Sequence, residues 1–459
     1  MNGATFFADM LQTISERGRQ LLPFNPRELA ASRRNTEALC ETLLTSSGEA
    51  SGMALARDIL ARWEGMDEAG RLGFLQMLLE RFGPDTGTLD RAIAAYQTEK
   101  SPAALLALHH AAEPRRQELI RRLNLAPNGI ATLVGMRAFL LTRLAEQPEL
   151  KAVDADFAHL FGSWFNRGFL VLRPINWATP ANILEKIIQY EAVHEIASWD
   201  ELRRRLAPDD RRCFAFFHPQ LVDEPLIFVE VALTREMPAS IGDVLDEDRD
   251  HVPPDEARVA VFYSISNCQD GLRGVSFGNF LIKQVVEELR SEFAELDTFV
   301  TLSPVPGFAR WLMGARAKDR EGSLPADRQA LARLDAADWH EDDVAIKKLQ
   351  SPLMAAAARY FLEERDERGR VIDPVARFHL GNGARLERVN FLADRSPRAL
   401  GQAHGLMVNY LYKLNDIEAN HEAFAARGEV VASQQVRRLA KNPRGSRGSE
   451  TPKLQEYSR

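Results

Sequence analysis

Cysteine is scarce in this sequence. The chain of 459 residues has three, Cys40, Cys213 and Cys268, which are far apart and form neither a C-x-x-C pair nor a spacing typical of metal ligands. This scarcity excludes a small secreted domain framed by disulfides, and an odd, sparse set is typical of a reducing cytoplasm. We therefore predict a cytoplasmic protein without a metal site, in which each cysteine is a small buried hydrophobic side chain.

Long apolar runs and an excess of basic charge are also missing. No stretch approaches the roughly 20 apolar residues that a membrane-spanning helix needs. The first residues lack a basic segment before an apolar run, so we expect no secretory signal, and the final EYSR is not a peroxisomal address of the S-K-L type. The net charge of −7 argues against a body that binds nucleic acid. We expect neither a membrane nor a nucleic acid as a partner.

Common cofactor signatures are absent as well. The sequence has no G-x-G-x-x-G of dinucleotide folds, no G-x-x-x-x-G-K-[ST] of P-loops and no H-E-x-x-H of zinc proteases. No pyridoxal phosphate, thiamine or iron–sulfur signature is evident. For the acidic run His340-Glu341-Asp342-Asp343 we predict a solvated helix start rather than a metal site. We therefore expect no cofactor.

Helical periodicity dominates the first part of the chain, and strands begin only near Trp164. The segment 72–82, for example, has apolar residues at helical spacing and is stopped by Gly83-Pro84. Ser101-Pro102 predicts the start of a further helix, and Leu349–Leu362 predicts another with Ser351-Pro352 at its start. The nearly continuous apolar run at 226–233 predicts a central strand. We predict an α+β protein with three parts: an all-α helical bundle at residues 1–165, a mixed α/β catalytic domain at 166–430, and a basic tail at 431–459 whose end is disordered.

The stretch from Val259 to Phe308 holds the densest pattern. It predicts a buried strand, an amphipathic helix and a second strand that ends at Ser303-Pro304. Three glycines lie between the first strand and the helix: Gly271, Gly274 and Gly278. Glycines at a helix start can hold a phosphate, because free N–H groups and the helix dipole favour an anion. The alternative is that Gly271 and Gly274 only form a turn, and that Gly278 only lets the helix pack on the strand.

A second dense stretch covers residues 371–412. His379 lies between Phe378 and Leu380, just before a Gly-Asn-Gly turn signal. A histidine beside a tight turn can act as a general acid or base, because its ordinary pKa lies near neutrality. The alternative for His379 is a packed side chain, and the alternative for Ser303 is a helix N-cap or turn residue. Neither residue lies in a G-x-S-x-G elbow, so an α/β-hydrolase is not supported.

Several long motifs, in order, resemble the malonyl-CoA decarboxylase family over residues 160–412. They are HPQLVDEPLIFVEVALT, FYSISNCQDGLRGVSFGNFLIKQVVEELRSEF, TLSPVPGFARWL, SPLM, DPVARFHLGNGARLERVNFLAD and GLMVNYLY. The resemblance implies a catalytic domain of the GCN5-type N-acetyltransferase (GNAT) fold behind a helical oligomerisation domain, and it suggests a homotetramer.

The resemblance also implies the site residues. Ser303 and His379 match the catalytic serine and histidine, and Tyr412 matches a tyrosine that lines the site. The residues expected at the phosphates of CoA are Arg273, Gly274, Val275, Ser276, Phe277, Gly278 and Asn279. Animal members carry an acidic residue where Ser276 stands, which puts in doubt a carboxylate beside the site. The chain also lacks the peroxisomal C-terminal address of the animal members, and this difference points to a bacterial, cytoplasmic enzyme.

The implied reaction converts malonyl-CoA to acetyl-CoA and CO2 through an enolate, with no obligatory metal or organic cofactor. Preorganised donors would stabilise the oxyanion, and a histidine would protonate the carbon. We expect His379 to deliver the proton and Ser303 to hold a substrate oxygen; whether Ser303 also transfers a proton stays open. The implied biology is fatty acid metabolism and, for a bacterial member, malonate catabolism. Two alternatives remain: an acyl-CoA-dependent N-acyltransferase on the same fold, and a non-enzymatic malonyl-CoA sensor.

Overall fold

The computed structural model describes residues 35–275, 281–318 and 328–441. These residues fall into two compact units, one within Met1–Arg173, Phe216–Ile227 and Asn267–Gly278, and the other within Pro174–Ala215, Phe228–Ser266 and Asn279–Arg459. The helices before the first strand are α1 (Thr36–Thr45), α2 (Glu49–Gly65), α3 (Glu68–Arg81), α4 (Thr86–Thr98), α5 (Pro102–Ala112), α6 (Arg115–Leu123), α7 (Gly129–Arg143) and α8 (Lys151–Trp164).

Side-chain caps define several of these helix starts. Asp67 accepts a hydrogen bond from the Gly70 N–H at 2.8 Å, and Asp85 accepts one from the Thr88 N–H at 2.7 Å. Each cap satisfies a backbone donor that the first helical turn leaves without an internal partner. The apolar face predicted for segment 72–82 is confirmed, because Leu75, Leu78 and Phe82 are completely buried.

The helical hairpin of α4 and α5 differs from its neighbours. Ser101 caps α5 as the sequence predicts, accepting from the Ala104 N–H at 3.2 Å. Neither helix has a buried residue, and Leu105 and Leu106 are 53% and 56% exposed. The two helices contact each other and leave apolar side chains in solvent.

The strands assigned in the described residues form one mixed sheet. They are β1 (Val171–Ile175), β2 (Arg211–Phe217), β3 (Pro225–Thr234), β4 (Val259–Asn267), β5 (Thr298–Thr301), β6 (Ser303–Pro304), β7 (Arg385–Asn390) and β8 (Met407–Leu411). The order is β1-β2-β3-β4-β5-β8-β6, and β7 also pairs with β8. The central position predicted for β3 is confirmed, since it has a neighbour on each side and is buried almost throughout. The predicted class, a helical region followed by a mixed α/β sheet domain, is therefore confirmed.

The remaining helices lie between and after the strands along the chain. They are α9 (Ala181–Tyr190), α10 (Trp199–Leu206), α11 (Gly242–Leu245), α12 (Leu281–Glu292), α13 (Phe308–Lys318), α14 (Arg328–Leu331), α15 (Asp343–Leu362), α16 (Pro374–Gly381), α17 (Pro397–Ala403), α18 (Ile417–Arg427) and α19 (Gln434–Lys441). Among the described residues, none of the helices has the length and apolar character needed to span a membrane.

Two sequence expectations meet particular outcomes here. A helix start at Ser351-Pro352 is wrong, because α15 begins at Asp343 and includes Pro352. The side chain of Asp342 accepts from the Val344 N–H at 2.8 Å, so the acidic run supplies the start. In the predicted basic tail, residues 434–441 form α19 with Val436 buried, and residues 442–459 lie outside the described residues.

All three cysteines are buried thiols, as the sequence predicts. Burial is the main cause that raises the pKa of the Cys40 thiol from 9.0 to about 12. A thiol with so high a pKa carries almost no thiolate at neutral pH, so Cys40 behaves as a small apolar side chain.

Candidate active site

Ser303 lies where the parallel pairing of β4 and β5 stops. The paired register runs from Val259 opposite Thr298 to Phe262 opposite Thr301. Ser303 then pairs with Val408 of the antiparallel strand β8, and it is only 5% exposed. Because α13 begins at Phe308, Ser303 is not a helix N-cap, and that alternative is wrong. The pairing with β8 therefore fixes the position of the Ser303 backbone, and the residue is buried at that position.

His379 lies in the last turn of α16. At the start of this helix, the Asp373 side chain accepts from the Ala376 N–H at 2.8 Å. At its end, Gly383 has a φ of +83°, and a Cβ there would lie 2.2 Å from the Ile417 carbonyl oxygen. Only glycine fits that position, because both the left-handed backbone and the close approach exclude a side chain. The Gly-Asn-Gly turn signal in the sequence thus marks the end of α16 and places His379 in the last turn of that helix.

The structure brings Ser303, His379 and Tyr412 together. The Ser303 Oγ lies 3.2 Å from His379 Nε2, and the Tyr412 hydroxyl lies 2.8 Å from His379 Nδ1. The three side chains are at least nine-tenths buried. Both imidazole nitrogens therefore have hydroxyl partners, an arrangement that orients the ring and can carry a proton along one line of hydrogen bonds.

Two further residues complete this cluster, and sequence reasoning missed both. Thr301 is completely buried, and its Oγ1 accepts a hydrogen bond from the Ser303 hydroxyl at 2.8 Å. The Tyr410 ring stacks on the His379 imidazole, with centroids 4.6 Å apart and an interplanar angle of 24°. A signal for Tyr410 does exist in the sequence, since Tyr410 and Tyr412 are two positions apart and a strand places such residues on one face.

Burial controls the charge state of the cluster. It lowers the pKa of His379 from 6.5 to about 3, and no other cause contributes to that shift. Burial also holds the pKa of the Tyr410 and Tyr412 hydroxyls well above 10. The imidazole is therefore neutral at physiological pH and donates only through the single N–H of its neutral form.

Two buried groups support the helix that carries His379. Asp373 is completely buried, and burial raises the pKa of its carboxyl from 3.8 to about 6. The Tyr360 hydroxyl donates to Asp373 Oδ2 at 3.3 Å, and burial above all raises the pKa of Tyr360 above its ordinary value of 10.0. The Asp373 carboxyl that caps α16 therefore has a hydrogen-bond partner in Tyr360, while its burial disfavours the ionised carboxylate.

The predicted phosphate segment has a different environment, within the first unit. A short 3-10 turn covers Asp270–Leu272, and a Cβ on Gly271 would lie 1.9 Å from the Val134 carbonyl oxygen. Arg137, which sequence reasoning missed, donates from Nη1 to the carbonyls of Gly271 at 2.8 Å and Arg273 at 3.0 Å. Gly271 therefore lies in a turn, as the alternative to phosphate binding expects, and it also permits close packing against α7.

The remaining residues of that segment divide into two groups. Gly274 has a φ of +77°, and the side chain of Arg273 is 71% exposed and pairs with Asp270 at 2.9 Å. Val275 follows this turn. Four of the predicted residues lie outside the described residues: Ser276, Phe277, Gly278 and Asn279.

Comparisons with known proteins find relatives along most of the chain. The family model of the malonyl-CoA decarboxylase C-terminal domain matches residues 168–450, and the model of the N-terminal domain matches residues 82–165. The mitochondrial malonyl-CoA decarboxylase of the goose Anser anser anser is 35% identical over 404 residues, which cover 80% of each chain. The enzyme of that name from Rattus norvegicus is 34% identical over 417 residues, 83% of this chain and 84% of the relative.

Solved structures agree with the sequence matches. The crystal structure of malonyl-CoA decarboxylase from Agrobacterium vitis is 64% identical with a TM-score of 0.84. The one from Rhodopseudomonas palustris is 58% identical with a TM-score of 0.85, and each match covers 88% of this chain and 99% of the other. The chain therefore belongs to the malonyl-CoA decarboxylase family and is a carboxy-lyase, an enzyme that breaks a carbon–carbon bond.

Proposed function

We propose that this enzyme converts malonyl-CoA to acetyl-CoA and CO2, with His379 as the proton donor and Ser303 as its partner at the substrate. Membership of the family supports the overall reaction. The observation that carries the residue assignment is the buried contact between Ser303 Oγ and His379 Nε2 at 3.2 Å. It joins the two residue types that the chemistry requires, one for holding an oxygen and one for moving a proton.

The chemistry sets the demands on these residues. When the bond between the carboxylate and the alpha carbon breaks, CO2 leaves and the electron pair stays on the carbon. The thioester carbonyl accepts that pair as an enolate, and a proton then joins the carbon to give acetyl-CoA. One proton is consumed in each turnover. The protein must therefore orient the carboxylate, stabilise the enolate oxygen and supply the proton.

His379 suits the proton-donating role as a neutral imidazole. Burial lowers its pKa to about 3, so an imidazolium is not the resting donor at neutral pH. The alpha carbon of a thioester enolate is a stronger base than the imidazolate that remains when a neutral imidazole gives up its N–H proton. A neutral ring N–H is therefore an adequate acid for this carbon, and other enzymes also use a neutral histidine. Tyr412 at Nδ1 fixes the ring and stabilises whichever charge develops on it.

Ser303 holds a substrate oxygen in this proposal, either of the malonyl carboxylate or of the thioester. Its hydroxyl lies beside His379 in the short strand β6, which pairs with β8. For the CoA phosphates we propose the segment from Arg273 to Asn279. Two features support this proposal. The exposed guanidinium of Arg273 supplies positive charge for a phosphate, and the left-handed turn at Gly274 is a backbone conformation that can direct N–H groups at an anion.

The first experiment measures acetyl-CoA and CO2 formed from malonyl-CoA by the purified enzyme and by His379→Asn. We expect turnover by the enzyme and its loss in the variant, while malonyl-CoA still binds in a calorimetric titration. His251→Asn is the matched control, because His251 is a 67% exposed histidine outside the cluster. Full turnover by His379→Asn would contradict the donor role.

The same assay separates the two alternatives of the sequence analysis. Acetylation of an added amine by acetyl-CoA, without loss of CO2 from malonyl-CoA, would favour an N-acyltransferase. Tight binding of malonyl-CoA without any turnover by the intact enzyme would favour a sensor.

The assembly and setting of the enzyme are a further part of the proposal: a cytoplasmic homotetramer in fatty acid metabolism, with malonate as a source of its substrate. The hairpin of α4 and α5 supports self-association, because Leu105 and Leu106 expose apolar surface there. The three cysteines that remain thiols suit a reducing compartment. Light scattering of Leu105→Asp beside the unaltered protein tests the assembly, and an unchanged molar mass would remove the hairpin from it.

A further inference from the structure

Within the active-site cluster, Thr301 has contacts that the reaction described so far does not use. Its Oγ1 accepts two hydrogen bonds, one from the Ser303 hydroxyl at 2.8 Å and one from the Tyr410 backbone N–H at 3.2 Å. The side chain is completely buried, so no water competes for either contact. A hydroxyl oxygen has two lone pairs, and both are occupied here. Thr301 therefore acts as an acceptor toward Ser303.

This contact decides where the hydrogens of the cluster lie. Ser303 has one hydroxyl hydrogen, and that hydrogen is directed at Thr301. At the contact between Ser303 Oγ and His379 Nε2, the serine must then accept, so Nε2 carries the hydrogen of the neutral imidazole. The other ring nitrogen, Nδ1, has no hydrogen and accepts from the Tyr412 hydroxyl at 2.8 Å. Every hydrogen in the series from Tyr412 to Thr301 points in one direction.

We propose that Thr301 is a positioning residue that keeps His379 in the tautomer with hydrogen on Nε2, the nitrogen facing Ser303. This assignment describes the enzyme before substrate binds, when no substrate oxygen competes with Thr301 for the Ser303 hydrogen. Once a substrate oxygen takes that hydrogen, the N–H on Nε2 already faces the substrate, and only this kinetic part of the inference rests on the proposed function. Without the acceptor at position 301, the Ser303 hydroxyl turns its hydrogen to Nε2. The imidazole hydrogen then moves to Nδ1 and faces Tyr412, and the ring presents no donor toward Ser303.

Thr301→Val tests this directly, because valine keeps the shape of threonine and removes its acceptor oxygen. We expect kcat for malonyl-CoA to fall by about tenfold or more with little change in KM, since the substrate-binding groups remain while the donor is misdirected. Thr301→Ser restores the hydroxyl and should restore kcat. In a Ser303→Ala background the Thr301→Val change should have no further effect on kcat, because Thr301 acts through the serine.

Nitrogen NMR provides a readout that does not depend on turnover. The protein is labelled with [15N]histidine, and the signals of His379 are assigned among the ten histidines by their absence in His379→Asn. We expect hydrogen on Nε2 in the enzyme and in Thr301→Ser, and hydrogen on Nδ1 in Thr301→Val. Solid-state spectra serve for a large assembly. If Thr301→Val does not fold, Thr301→Cys replaces it, since sulfur is only a weak acceptor.

The outcomes separate this inference from the proposed function. Hydrogen on Nδ1 in the unaltered enzyme, or on Nε2 in Thr301→Val, would overturn the inference whatever the activity. A kcat loss in Thr301→Val that persists in the Ser303→Ala background would also overturn it, because the effect would then be structural. The expected tautomers in an enzyme that does not decarboxylate malonyl-CoA would support the inference and contradict the proposed function alone.

Discussion

The completely buried carboxyl of Asp373 predicts a specific dependence of stability on pH. Burial raises its pKa from 3.8 to about 6 in the folded protein. Since the folded-state pKa lies above the unfolded value, the protonated form is favoured by folding. The contribution of the protonated Asp373 carboxyl to the free energy of unfolding is fully present below about pH 3.8 and is lost as pH rises through about 6. Above that range, the ionised carboxylate costs the folded state up to about 3 kcal/mol relative to a neutral group.

Asp373→Asn removes this cost while keeping the cap, because asparagine is as good an N-cap as aspartate and its oxygen can accept from the Ala376 N–H. Linkage over these two pKa values gives a rise of about 1.4 kcal/mol between about pH 5 and about pH 8 in the stability of the variant relative to the unaltered protein. Urea unfolding of both proteins at each pH measures that difference. The comparison cancels other titrating groups, such as Glu230, whose pKa burial raises to about 8.

Asp342→Asn serves as the control, since it exchanges a carboxylate for an amide at the exposed N-cap of α15. A difference between Asp373→Asn and the unaltered protein that does not change with pH would refute the reasoning. It would mean that the Tyr360 hydroxyl and the helix N–H groups offset burial completely, so that the carboxyl titrates as it does in water.

Three further predictions concern the tyrosines of the cluster and the glycine turn near residue 271. Tyr410→Leu removes the stack on His379, worth about 0.5–1.5 kcal/mol beyond burial, so we expect kcat to fall by about tenfold in steady-state assays; an unchanged kcat would show that the stack does not position the ring. Tyr412→Phe removes the hydroxyl at Nδ1 and should lower kcat more than it changes KM, whereas a KM effect alone would assign Tyr412 to binding. Gly271→Ala places a Cβ 1.9 Å from the Val134 carbonyl and should lower the thermal midpoint far more than Gly274→Ala, which meets open space and costs about 1 kcal/mol for its positive φ; equal losses would contradict this.

Much of the site follows from local sequence signals. Ser303 precedes a proline and His379 precedes a glycine turn, and both signals are typical of the end of a strand or helix. In the structure Ser303 lies in a short strand just after β5, and His379 lies in the last turn of α16. The resemblance to a family added the pairing of the two. Periodicity also located β3 as central, because a strand buried on both faces needs apolar residues at nearly every position.

What the sequence could not reveal depends on tertiary partners. Thr301 is an ordinary strand residue by pattern, and only the pairing of β5 with β8 brings the Tyr410 N–H to its hydroxyl. Arg137 is a single arginine on α7, and its contact with the Gly271 carbonyl joins residues more than a hundred positions apart.

The proton-donor role of His379 is tested most directly by the reverse of the final step. A group that protonates the alpha carbon of the enolate must also remove a proton from acetyl-CoA, by microscopic reversibility. Nuclear magnetic resonance in D2O, without malonyl-CoA, follows the exchange of the acetyl-CoA methyl hydrogens for deuterium. We predict that the enzyme catalyses this exchange and that His379→Asn, although it binds acetyl-CoA, does so at least about a hundredfold more slowly. Exchange at the same rate in the variant would contradict the account.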